Sequence, residues 1–203
     1  MSQAVPFVIS MPGFIDELVA QAGALDDERA RVQLAIRLSH ENVQRGGGPF
    51  GAVVMAGSQV IAGGVNLVLS SGLSIAHAEI VALMRAQRVL GNDPRAQGPL
   101  ALYTSTEPCC QCFGAVVWSG ISRLVCAAST ADAEAIGFDE GPKPPAWPGE
   151  LERRGISVEL GLCSAEARGV LQAYAKRGGQ IYGSRSRPST PGCPQSSGVA
   201  RLV

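Results

Sequence analysis

Short apolar strands alternate with helical stretches along most of the chain, and that alternation limits the fold more than any other feature. PFGAVVMA and QVIAGGVN are apolar runs joined by Gly57-Ser58, the pattern of a β-hairpin. AHAEIVALMRAQRVLG has apolar residues at Ile80, Leu83, Met84 and Val89 and stops at Gly91-Asn92, which predicts a helix. PLALYTST then predicts a short buried strand, CCQCFGAVVWSG a helix beginning beside the cysteines, and SRLVCAAS another strand. Beyond the proline- and glycine-rich loop GFDEGPKPPAWPG come a strand, ISVELGL, and a helix, SAEARGVLQAYAKR, ended by Gly178-Gly179. Ahead of the hairpin, residues 14–45 predict mostly helix, with an apolar face at Val32, Ile36 and Leu38 and a stop at Gly46 to Gly48. Strands interleaved with helices in this order predict a layered α/β domain, with Tyr103 and Trp118 in its core.

The chain has 203 residues, a length that suits one domain with tails. The expected division is an N-terminal extension over 1–27, the main folded domain over 28–183 and a basic tail over 184–203. That tail, SRSRPSTPGCPQSSGVARLV, has the composition of a loop or disordered segment. No apolar run reaches the roughly 20 residues of a membrane span, and MSQAVPFVISMPG lacks the basic start of a secretory signal. A cytoplasmic protein without membrane contact is the expectation. Acidic and basic residues balance at 17 each, which argues against a general nucleic-acid binder. Every acid lies at or before Glu166, however, while Arg168, Lys176, Arg177, Arg185, Arg187 and Arg201 come after it without a compensating carboxylate. A solubilising end is the plainer reading of that asymmetry, and contact with RNA or an acidic surface the other.

Six cysteines are present, three of them crowded at Cys109, Cys110 and Cys112, with Cys126, Cys163 and Cys193 scattered. Such a cluster fits metal binding in a reducing compartment better than a disulfide framework. Residues i and i+3 share one face of a helical turn, so Cys109 and Cys112 can converge on one ion. Cys110 is rotated by about 100° and is expected to turn away into packing. Alone, a PCxxC could equally be a redox pair or buried thiols. His77 in AHAE, one of only two histidines, changes the balance. Two thiolates and one imidazole make three protein ligands, leaving a tetrahedral zinc with an open, catalytic position. Glu79 is then better placed beside the metal's water than as a ligand.

His77-Ala78-Glu79 followed by Pro108-Cys109-Cys110-Gln111-Cys112 carries the H-x-E and P-C-x-x-C signature of zinc deaminases. The chain resembles the cytidine deaminase-like superfamily. The resemblance implies a three-layer α/β/α sandwich around a central mixed sheet of about five strands. GGGPFGAVV, Asn66, EPCCQCFGAVVWSG and above all EAIGFDEGP are most similar to the bacterial guanine deaminases.

That resemblance implies roles residue by residue. His77, Cys109 and Cys112 would hold one catalytic zinc per chain, and Glu79 would carry protons. Asn66, eleven residues before the histidine, would bind the purine, Phe50 would stack on it, and the backbone of Ala78 would face it. Glu140 would hold the base and act as a second proton carrier, with Phe138 lining the same pocket. A C-terminal segment would close the site of a second copy in a domain-swapped homodimer; GGQIYGS, with Tyr182 as its aromatic, is the candidate. Plainer readings stand beside these: Asn66 as a turn residue, Phe50 as core, and the Phe138-Asp139-Glu140 acids as solvated loop.

Guanine presents an N–H and an amino group side by side, so a carboxylate can accept from both at once; cytidine lacks that pair. The expected reaction is hydrolytic deamination of guanine to xanthine and ammonia. Amino-triazines such as ammeline, pterins and guanosine or cytidine are the alternative substrates. A tRNA adenosine deaminase would need a basic RNA-binding face, and a zinc-stabilised binding module would not need Glu79.

Overall fold

The computed structural model describes residues 8–91 and 98–183; the expected basic tail lies outside them. Five strands, β1 (Gly51–Ala56), β2 (Gln59–Val65), β3 (Leu100–Thr106), β4 (Arg123–Ala128) and β5 (Ser157–Leu160), form one sheet in the order β2-β1-β3-β4-β5. Gly57 and Ser58 turn β1 back on β2, so those two pair antiparallel, and β1 also runs antiparallel to β3. β3, β4 and β5 are mutually parallel neighbours, which requires crossovers between them.

Those crossovers are helical. α5 (Cys110–Trp118) links β3 to β4, while α6 (Thr130–Glu134) and α7 (Trp147–Glu152) lie between β4 and β5. The remaining helices are α1 (Phe14–Ala22), α2 (Glu28–Gln44), the single turn α3 (Val68–Ser71), α4 (Ala78–Leu90) and α8 (Ser164–Lys176). Strand periodicity decides which side chains meet which helices. Val53, Met55, Tyr103, Val125 and Ala127 join the residues of α1, α2 and α8 in one buried cluster. Ala52, Val54, Leu102, Leu124 and Cys126 point the other way, toward α4, α5 and α7. The result is the three-layer α/β/α sandwich, with a mixed five-stranded sheet in the middle.

Three details depart from the sequence reading. The stretch 14–45 is two helices rather than one: Gly23 adopts a positive φ, and Asp27 caps α2 by accepting from the Ala30 N–H at 3.1 Å. α1 falls in the segment read as an extension, yet it buries Phe14 and Ile15 in the same core as α2. The third departure concerns α4. Of the four apolar positions in its sequence pattern, Leu83 is buried, whereas Met84 is 46% and Val89 68% exposed. The buried face is instead Ala78, Val81, Ala82, Leu83 and Ala86. Small residues are needed there because α4 lies close against β2: a Cβ on Gly64 would sit 2.4 Å from the Ala78 carbonyl oxygen.

Tyr103 is fully buried, but Trp118 is 86% exposed. It ends α5 on the outer side of the sandwich and, with Ile80, Leu83, Met84 and Ala115, lines an apolar groove. No layer of this chain covers that face among the described residues.

Candidate active site

Strand direction gathers the site at one end of the sheet. β3 finishes there, and because β1 is antiparallel to it, β1 begins and β2 ends at the same edge. Phe50 immediately precedes β1, Asn66 immediately follows β2, and Glu107 immediately follows β3. The loop after α6 returns Phe138, Asp139 and Glu140 to that edge, and Tyr182 reaches it from beyond α8. All seven line one pocket together with His77, Glu79, Cys109 and Gly183. Ala78, fully buried as the first residue of α4, is not on its wall.

His77 and Cys109 occupy equivalent places, the N-caps of α4 and α5, and neither side chain caps its helix. Their donor atoms are thus free to face each other across the helix starts. His77 Nδ1 lies 3.4 Å from Cys109 Sγ and 3.5 Å from Cys112 Sγ, and the three donor atoms are within 4.8 Å of one another. A tetrahedral zinc with ordinary zinc–sulfur and zinc–nitrogen bonds would space an imidazole nitrogen and a thiolate about 3.6 Å apart. The donor set fits zinc in both chemistry and spacing.

Electrostatics are set by burial and by these neighbours. A hydrogen bond from Cys112, followed by the interaction with His77, holds the Cys109 thiol down at about 4. The same bond, seen from the donor, together with burial, keeps Cys112 well above its usual range. The positive end of α5 also favours a thiolate at Cys109, and a bound zinc would take both sulfurs as thiolates. Burial pulls His77 down, but the hydrogen bond and charge of Cys109 outweigh it and leave the imidazole raised. For Glu79, burial and then the Cys109 thiolate push the carboxyl up to about 7. Glu140 rises to about 8 for the same reasons in the same order.

Around this cluster the pocket has aromatic walls. Phe138 is the hub, meeting Phe50 edge to face at 4.9 Å, Tyr182 edge to face at 5.1 Å and Tyr174 stacked at 6.0 Å. Two buried polar atoms on the wall, Glu140 Oε2 and the Tyr182 hydroxyl, have no hydrogen-bond partner among the described residues. Buried groups of that kind are where a ligand's donors and acceptors belong. Asn66 has two roles: its Oδ1 accepts from the Val68 N–H at 3.1 Å, so the turn reading holds, and it also faces the pocket. Cys110 stands away from the metal cluster and packs against Gly141.

Glu107 is a wall residue that the sequence reading passed over. Its signal was an acid between a buried strand and Pro108-Cys109, a place where a charge survives only with partners. Those partners are the Thr130 backbone N–H and hydroxyl, which donate to Glu107 Oε2 at 3.2 and 2.8 Å.

Two thiols and an imidazole at helix starts, with a buried glutamate two positions after the imidazole, are the equipment of a zinc-dependent hydrolytic deaminase. The chain belongs to the cytidine and deoxycytidylate deaminase family, whose zinc-binding region matches residues 26–128. It is similar to the guanine deaminase of Nitrosomonas europaea, whose structure superposes with a TM-score of 0.81 at 41% identity, covering 87% of this chain and 100% of that one. The guanine deaminase of Bacillus subtilis is 42% identical over 107 residues, 52% of this chain and 67% of the relative. A tRNA-specific adenosine deaminase of Buchnera aphidicola is 36% identical over 107 residues, 53% of this chain and 70% of the relative.

Proposed function

We propose that this deaminase acts on guanine, releasing ammonia and leaving xanthine. The observation that carries the reading is the second buried carboxylate: Glu140, with one oxygen unpartnered among the described residues, on the wall of an aromatic pocket that also holds Glu79. In its ionised form Glu140 accepts from the adjacent N–H and amino group of guanine in a two-pronged contact, and those two hydrogen bonds favour the carboxylate against the burial that otherwise raises it. Phe50 supplies a face for the purine ring, with Phe138 and Tyr182 closing the wall around it. Asn66 has its oxygen engaged by Val68, so its amide NH2 is the group left to donate to a purine acceptor. The N–H of Ala78, in the first turn of α4, is one of the donors a helix start leaves unpaired.

His77, Cys109 and Cys112 would hold zinc, which when bound supplies the Lewis acidity that makes water a nucleophile near neutral pH. Glu79 takes the proton of the attacking water and passes it to a ring nitrogen, relieving the charge that builds during attack. Burial of that carboxyl favours its protonated form, which suits a group that must hold a proton between two transfers. Glu140 holds the amino-bearing edge and helps protonate the departing amine.

The reading extends to assembly. Tyr182 packs on Phe138 of its own chain here; a domain-swapped homodimer would make the same contact from a second copy. The uncovered groove at Trp118 and Met84 is the kind of apolar face that a second copy buries. Free thiols at the site fit a reducing, cytoplasmic setting, and no described helix is long and apolar enough to cross a membrane.

Ammonia release by zinc-replete protein, measured across guanine, guanosine, cytidine, ammeline, a pterin and an adenosine-containing tRNA anticodon stem, tests the substrate. Turnover of guanine above the others supports the proposal. Release from the RNA alone would replace it with tRNA deamination.

A further inference from the structure

Among the described residues, Lys143 is the ammonium buried beside the site, and the reaction proposed for the pocket makes no use of it. Its side chain is 7% exposed. Nζ donates to the Pro108 carbonyl at 2.7 Å and to the Thr130 hydroxyl at 2.8 Å, lies 3.9 Å from Glu107 Oε2, and sits 4.7 Å over the centre of the Trp147 ring. The Thr130 hydroxyl in turn donates to Glu107. Three separate segments therefore converge on one ammonium: the turn that leads into Cys109, the start of α6, and the loop that carries Glu140.

That loop is fastened to the cysteine turn at a second point. The Cys110 N–H donates to the Glu140 carbonyl at 2.8 Å. Next to it Gly141, at φ +70°, lies so near that a Cβ would be 2.4 Å from Cys110 Sγ. Cys110 and Gly141 thus form a close steric stop, while Lys143 supplies the directional bond three residues beyond Glu140. Two anchors on either side of Gly141 leave the Glu140 carboxylate little freedom to move relative to Cys109 and Cys112.

We infer that Lys143, through Pro108, Thr130 and Glu107, is a positioning residue that sets Glu140 over the metal-ligand turn. This rests on Glu140 acting in the deaminase site. A residue that merely stabilised the fold would lower activity in any background, whereas one that acts through Glu140 loses its influence when the Glu140 carboxylate is gone.

The test combines Lys143→Met, Thr130→Val, Glu140→Ala and the double variant of Lys143→Met with Glu140→Ala. Zinc content and guanine kcat/KM are measured on each, with amide exchange at Cys110. Lys143→Met is expected to keep stoichiometric zinc and to lower kcat/KM by about tenfold or more, as when one charged hydrogen bond is lost. In the Glu140→Ala background the same change is expected to cost less than about twofold, the non-additivity of coupled residues. Thr130→Val, the milder variant if Lys143→Met folds poorly, should show the same pattern with a smaller loss. Exchange at Cys110 should speed up in both, because its acceptor is the Glu140 carbonyl; this readout needs no turnover and separates a wrong anchor from a wrong substrate. Multiplicative losses in the double variant, or unchanged Cys110 exchange in Lys143→Met and Thr130→Val, would overturn the inference.

Discussion

His77 Nδ1 and Cys109 Sγ lie 3.4 Å apart although 32 positions separate them in the chain. The contact exists because α4 and α5 begin at the same end of the sheet, each with a ligand in place of a capping side chain. Metal binding should therefore fasten two helix starts at once. Chelation of the zinc-loaded protein is expected to lower its melting temperature on the order of 10 °C, reversed by added zinc, since ligand at a thousandfold excess over Kd contributes about 4 kcal/mol. Cys112→Ser should lose both the zinc and the chelator response; a chelator-insensitive melting curve in the wild-type protein would count against a site built on these helices.

Glu79 is a neighbour of the metal cluster and not a member of it. Glu79→Ala is expected to retain one zinc per chain while kcat for guanine falls by about 10²- to 10⁴-fold, the range for loss of a positioned proton carrier. Metal analysis on the assayed sample is the check, and loss of zinc in this variant would move Glu79 into the ligand set.

Glu140→Ala removes from the pocket wall an acceptor that has no partner among the described residues. Both KM and kcat should change, with kcat/KM down roughly 10- to 150-fold, the value of a hydrogen bond to a charged group. The loss should be smaller for a purine lacking the amino group's neighbouring N–H, which can be read from competitive binding. Equal losses for all ligands would show that Glu140 does not choose the substrate.

Far from the pocket, Arg123 at the start of β4 grips Glu28 of α2 through two hydrogen bonds of 2.9 and 2.8 Å, and Glu159 of β5 at 2.5 Å. The bond from Arg123 holds the Glu28 carboxyl below its ordinary value of 4.5. A carboxyl lowered in the fold adds stability that is complete above that ordinary value and disappears as pH falls through the lower, folded one. Glu28→Gln should thus melt earlier than wild type near pH 7, by about 0.5–1 kcal/mol for so exposed a pair, with the difference closing below about pH 4. Thermal melts from about pH 3 to 8 would show it; a gap that persists at the acid end would mean that packing, not charge, is the cause.

The exposed Trp118 gives a test of assembly. Trp118→Glu should shift the sedimentation of the protein to that of one chain, if its groove is the face covered by a second copy. An unchanged dimer would place the contact elsewhere.

The metal set was legible in the sequence because two short motifs carry it: Cys109 and Cys112 lie within one turn, and His77 stands two residues before Glu79 in the other. The hairpin and the strand–helix alternation were equally local, since turn residues and apolar periodicity act over a few positions. Solvent exposure was not. Tyr103 and Trp118 look alike as aromatic residues in apolar stretches, but one lies inside the sheet and the other on the outer side of α5. The same holds for the pocket: the reversal of β1 and β2 against β3 brings Phe50, Asn66 and Glu107 to one edge, and the anchored loop brings Glu140. The two halves of the metal set, His77 in one motif and Cys109 with Cys112 in the other, were thus determined by neighbours in sequence, while their meeting was left to the fold. The assembly of an aromatic-walled pocket around them, and the burial of Lys143 behind it, were decided by strand direction and packing, which join residues too far apart for any local pattern to specify.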